Sequence, residues 1–159
     1  MVEKMSELLS CIREEALRRY HSFDEPNFSF VEKTHARNPY INILNSLERE
    51  FDLDENTDVN DDVCFSYFLS KSQWSWLLQL SMVGRYSILK FVSEANLSLD
   101  IEHQIEVRKI EQSISEVLIE NGIVILSKEI AQEVLVPENE FWDDGTVYQL
   151  LFSDLELFA

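Results

Sequence analysis

Lysine and arginine are absent from residues 50 to 70, and after Lys109 only one base, Lys128, stands against eleven acidic residues. Over 159 residues, thirteen bases meet thirty acids, a formal charge of −17. Such a field repels nucleic acid and anionic membrane and steers toward basic partners, so neither of the first two is an expected partner. Glycine and proline number three each, too few for low-complexity linkers, and the sequence shows no internal repeat. The longest apolar runs are four or five residues, well short of a membrane span. The first residues alternate charged and apolar types, unlike the unbroken apolar centre of a signal peptide. Cysteine is confined to Cys11 and Cys64. They could pair, but Cys11 falls among helix-core positions and Cys64 in a strand pattern, which favours buried free thiols and a cytoplasmic setting.

Against these absences stand an apolar fraction of 45% and eighteen aromatic residues, enough for one domain over 1–159 with a real core. Met5, Leu8, Leu9, Ile12, Ala16 and Tyr20 recur at helical spacing, predicting an amphipathic helix over 2–20 with Arg18 and Arg19 at its C-terminal end. Residues 23–37 read as irregular, broken by Pro26. Asn38-Pro39 then supplies a cap and a first-turn proline for a second helix with the stripe Tyr40, Ile43, Leu44, Leu47 and Phe51. From Val63 the period changes to two. Runs at 63–70, 74–82 and 86–92 predict a three-stranded antiparallel meander, with Gly84 expected to supply a positive φ for the second hairpin. The serine-rich face still carries Phe68, Leu77, Leu89 and Phe91, so one sheet face is expected to be fully packed on helices and the other partly covered.

A long helix is expected from about Asp100 to Glu120, capped by Ser98 or Asp100. Its core stripe is Ile101, Ile105, Ile114, Val117 and Leu118, and Asn121-Gly122 stops it. Residues 123–126 read as a short buried strand, and Ser127 caps a short helix over 128–134. Residues 146–152, apolar on both faces, read as an internal last strand. The class is α+β: a largely antiparallel sheet, the meander plus one or two C-terminal strands, packed with helices.

Catalytic signatures are missing. There is no G-x-S-x-G elbow, no P-loop and no G-x-G-x-x-G. Glu129 and Glu133 share a helix face but read as solvated glutamates. Trp74, Trp76 and Tyr86 read as packing residues, since no bases accompany them to hold phosphates. His21, His35 and His103 are too scattered for a zinc site. Nothing argues for an enzyme, and no cofactor or metal is expected.

The stretch FDLDENTDVNDD, 51–62, holds six carboxylates: Asp52, Asp54, Glu55, Asp58, Asp61 and Asp62. Counted from Asp52, calcium-type oxygen ligands stand at positions 1, 3, 5, 7 and 9. Position 6 is Thr57 where glycine is needed, position 12 is Val63 where a bidentate Glu is needed, and a strand follows instead of a helix. It is therefore expected to be a solvated connector between the second helix and the sheet, and a patch for a basic partner. A second acidic cluster, Glu138, Glu140, Asp143 and Asp144, lies beside Phe141 and Trp142. Trp142 could anchor an interface or pack in the core.

Two stretches carry a resemblance. LSMVGRY (80–86), after a strand with two tryptophans, resembles the central hairpin of bacterial toxin-immunity-type proteins, and GTVYQLLFSD (145–154) is similar to their last strand. The resemblance implies a cytoplasmic antidote that binds and neutralises a cognate toxin domain, for instance a basic nuclease. Carboxylates of the inhibitor would then stand where phosphates go. The alternative is a type III secretion chaperone, another class of small acidic α+β proteins, binding an effector segment. Nothing in the sequence sets an oligomeric state.

Overall fold

A computed structural model describes residues 2–92, 99–137 and 139–153. The elements run α1 (Val2–Tyr20), α2 (Phe30–Arg37), α3 (Ile41–Glu48), β1 (Asp52–Glu55), β2 (Cys64–Lys71), β3 (Trp74–Ser81) and β4 (Tyr86–Val92). They continue with α4 (Ile101–Glu120), β5 (Val124–Ile125), α5 (Lys128–Ala131) and α6 (Val147–Leu151). The class is α+β. One five-stranded sheet has the order β1-β2-β3-β4-β5, antiparallel except for the parallel β4–β5 pair.

The meander stands where period-two alternation puts it. Tyr67 pairs with Leu78 and Leu78 with Leu89, while Leu69, Trp76 and Phe91 form the next cross-strand row on the same face. The helices cover this face. Tyr40 meets the Phe65 ring edge-on, Phe51 just after α3 meets Trp76, and His103 of α4 meets Trp74. Trp76, Phe65, Leu69, Leu78 and Leu80 are fully buried, each side chain stabilising the fold by roughly 1.5–3 kcal/mol. On the opposite face Tyr148 of α6 donates to Gln79 Oε1, Gln79 Nε2 donates to Ser66 Oγ, and Tyr86 donates to Glu15 of α1. Phe68 and Leu77 on that face are only half-buried, so its cover is partial. Leu89 and Phe91, expected beside them, instead pair with Leu78 and Trp76 on the helix-covered face and are half-buried there, so that face is not fully packed. A buried bond from Tyr20 Oη to the Leu150 carbonyl ties α1 to α6.

Several expectations are corrected. Residues 30–37 form a helix in the segment expected to be irregular. Val31 and Thr34, three apart, bury one face of α2. Asn38 caps the C-terminus of that helix at φ 39° instead of opening the next, and its Oδ1 accepts from Tyr40 N. Gly84 does not adopt a positive φ; Ser72, in the two-residue β2–β3 turn, does, at 57°. At Gly84 a Cβ would meet the Glu15 carboxylate and lie 2.7 Å from the Tyr86 ring, so a side chain there would require those two groups to shift.

In α4 the buried positions are Val107, Ile114 and Leu118, while Ile101 and Ile105 are exposed. At about 100° per residue those two isoleucines lie roughly 120–160° around the helix from Val107, so the expected stripe is not one face. Asp100 is the N-cap, accepting from His103 N; the other expected cap, Ser98, lies outside the described residues. Cys11 is exposed, off the stripe of Ile12, Ala16 and Tyr20. Cys64 is a buried free thiol whose pKa is raised by burial and by the nearby Asp62 charge.

The largest correction is at the C-terminus. Residues 147–151 form a buried helix, not a strand. The Thr146 hydroxyl accepts from Gln149 N, and Val147, Leu150 and Leu151 are fully buried. A short run apolar on both faces fits a buried strand and a buried helix equally well, and here the Thr146 cap decides for the helix.

Candidate partner-binding surface

The first acidic tract is not one connector. Its first third is the edge strand of the sheet. Asp52 pairs with Ser70 and Asp54 with Phe68, and Asn56 N donates to the Ser66 carbonyl at 2.7 Å. That bond fixes the alternation. Asp52, Asp54 and Asn56 turn their backbone groups toward β2, whereas Leu53 and Glu55 turn theirs outward, where no described residue meets them. Asp52 and Asp54 are exposed on one face of the edge; Glu55 lies on the other, with His35 Nε2 3.9 Å from its Oε1 and the Tyr67 hydroxyl 3.5 Å away. Burial, then the Glu55 charge, pushes the Tyr67 pKa up to about 12, so the phenol stays a neutral donor.

The rest of the tract is a turn. Asp58 Oδ1 accepts from Asn60 N at 3.0 Å, and the Asp58 carbonyl accepts from Asp62 N at 2.8 Å. Asp62 is half-buried and structural, its Oδ1 accepting from Ser153 Oγ at 2.6 Å beside the Val63 N to Phe152 O bond. Asp58 and Asp61 are exposed. Because Asp52 and Asp54 sit on an extended strand, the chain does not wrap as a calcium loop must. Among the described residues no group of three or more His, Cys, Asp or Glu side chains is arranged to hold a metal.

In the second tract Glu140, Asp143 and Asp144 are exposed; Glu138 and the nearby Asp154 lie outside the described residues. Asn139 organises the turn. Its Oδ1 accepts from Phe141 N and Trp142 N, and its Nδ2 donates to Asp24. Trp142 is not available as an interface anchor. It is 3% exposed, and its indole N–H is committed to the Phe23 carbonyl. Phe141, its neighbour, is 47% exposed and lies 5.8 Å from the Phe28 ring, itself 39% exposed.

Those two aromatics line a cleft of about 700 Å³, together with Lys33, Val59, Asp61 and Asp62. The fold therefore brings the turn of the first tract and the aromatic of the second to one recess, across some eighty residues of sequence. Asp52, Asp54, Glu55, Asp58, Glu140, Asp143 and Asp144 do not line it. Phe28 and Lys33 escape the sequence reading, because their segment reads as irregular; the signal is F-S-F-V-E-K, where apolar residues begin to recur at helical spacing. An exposed aromatic pair with carboxylates at its rim can seat an apolar side chain and pair with a neighbouring cation. Comparison with protein-family models, curated proteins and solved structures finds no match for this chain.

Proposed function

We propose that this chain is an immunity-type protein that binds and neutralises a cognate toxin domain with a basic surface, such as a nuclease. The observation that carries the reading is the cleft in which the exposed carboxylate of Asp61 stands beside exposed Phe28 and Phe141. That carboxylate would pair with a lysine or arginine that a nuclease keeps for phosphates, and the −17 charge would speed encounter. The aromatics would supply contact energy that rim charges lack. The test is co-expression with toxin domains encoded beside this chain's gene, followed by pulldown at low and high salt. A basic, folded domain retained at low salt and released by added salt supports the proposal; a neutral, salt-insensitive partner removes its electrostatic basis.

A second reading, a secretion chaperone for an effector segment, is favoured by one observation: the outward backbone groups of Leu53 and Glu55 on an open sheet edge could accept an extended chain. It predicts a stable dimer that protects an unfolded segment from protease, where the antidote reading predicts binding of a folded domain.

A further inference from the structure

A second recess, of about 230 Å³, shares no lining residue with the acidic cleft and has the opposite character. Arg19 of α1, Arg37 at the end of α2 and Arg85 from the β3–β4 link all line it, around Tyr40 and Thr34. Three of the thirteen bases thus converge on one pocket in a chain with thirty acids. Among the described residues, none of the three forms an ion pair. Arg19 Nε donates to the Val83 carbonyl and Arg85 Nη2 to the Asn121 carbonyl. The Arg85 guanidinium also stands over the Tyr40 ring at 5.7 Å. These contacts fix the two side chains while leaving most of their five N–H donors unused. Arg37 has no partner among the described residues.

The pocket wall adds an independent observation. Thr34 is 4% exposed, yet its hydroxyl has no hydrogen-bond partner among the described residues. It is also not sealed away from the pocket it lines. A threonine hydroxyl at the pocket wall with no protein partner is free to hydrogen-bond a ligand there. No carboxylate lines the recess itself; Glu15, whose Oε1 accepts from the Tyr86 hydroxyl at 2.7 Å, keeps its charge beside Gly84 at its edge, where the three guanidinium groups outnumber it.

We propose that this pocket binds a phosphate-type oxyanion, either free or as the terminal group of a larger ligand. Tetrahedral oxygens match forked guanidinium donors from several directions, and a second negative charge suits three unpaired cations. The volume holds one such group with a short stub of its ester. The site uses none of the residues assigned to partner binding, so it stands or falls apart from the immunity reading.

The test is titration of the full chain with inorganic phosphate at pH 8 and constant ionic strength, followed by ¹⁵N NMR. Saturable shifts are expected at the Arg19, Arg37 and Arg85 side-chain N–H groups and the Thr34 amide. Affinity should fall about tenfold or more in Arg37→Gln, which removes an exposed side chain that supports no other contact. Arg85→Lys, which keeps the charge and removes the fork, should weaken binding too, and Arg108→Gln on α4 should leave it unchanged. A phosphate ester in place of phosphate distinguishes the two sources: tighter binding means a larger ligand, and equal binding means the free ion. Shifts no larger than those caused by chloride would overturn the proposal. So would equal binding in Arg37→Gln, or acetate binding as tightly as phosphate.

Discussion

The indole N–H of Trp142 donates to the carbonyl of Phe23 at 3.1 Å, and the same ring meets Tyr20 edge-on at 5.2 Å. One residue of an acidic loop thereby becomes core, while its neighbour Phe141 is held half-exposed at the cleft. Trp142→Ala is expected to destabilise the fold by about 3–5 kcal/mol, the range for truncating a buried aromatic. Phe141→Ala should change stability by less than about 1 kcal/mol and weaken partner binding instead. Urea denaturation of both variants checks the division; equal losses of stability would remove it.

The aspartates of the turn divide in the same way. Asp58→Asn with Asp61→Asn should slow association with a basic partner and flatten its salt dependence, with the urea midpoint unchanged. Both side chains are exposed, and the amide oxygen introduced by Asp58→Asn would still accept from Asn60 N. Asp62→Asn weakens a charge-assisted bond from Ser153 and should cost about 1 kcal/mol of stability. Stopped-flow association and denaturation separate the two effects.

Space at Gly84 makes a third prediction. Any Cβ there meets the Glu15 carboxylate and the Tyr86 ring, the two groups whose hydrogen bond pins α1 to β4. Gly84→Ala is expected to destabilise by roughly 1–3 kcal/mol. Combining it with Glu15→Ala should relieve much of that strain, which a double-mutant cycle reads as a coupling of opposite sign. Additive losses would mean that Gly84 answers to something else.

Alkaline pH tests the buried phenols. Burial, opposed by Arg85 and Arg19, raises Tyr40 to about 12, and burial with the Glu55 charge raises Tyr67 to about 12. A folded-state pKa above the ordinary value near 10 means the native chain holds its protons longer than the unfolded one. That stability is fully present below about pH 10 and is lost as pH rises toward 12. Absorbance at 295 nm should show these two phenols titrating late, with the thermal midpoint falling over the same interval. A midpoint flat from pH 10 to 12 would contradict the burial argument.

What the sequence discloses follows from how each signal is encoded. The meander is legible because Phe65-Tyr67-Leu69 and Trp74-Trp76-Leu78-Leu80 obey one period through a whole strand, and the register preserves it. Val147-Tyr148-Gln149-Leu150-Leu151 misleads because five buried residues show no period; its helix is declared by Thr146 alone. The acidic tract stands out in the sequence as a feature but not as an edge strand. Asp52 and Asp54 have low strand propensity, and their pairing with β2 is tertiary. The cleft joins Asp61 to Phe28 and Phe141, which no local pattern can announce. The arginine pocket joins Arg19, Arg37 and Arg85, and is hidden for the same reason.

The central claim is that the cleft around Phe28, Phe141 and Asp61 receives a basic protein partner. Its most direct test is affinity capture from the source cell, with wild-type protein and the folded Asp58→Asn, Asp61→Asn, Phe141→Ala variant as paired baits. The account predicts a basic toxin domain, or its intact parent, on the wild-type bait, released by salt and absent from the variant. The same partner retained equally by both baits would contradict it.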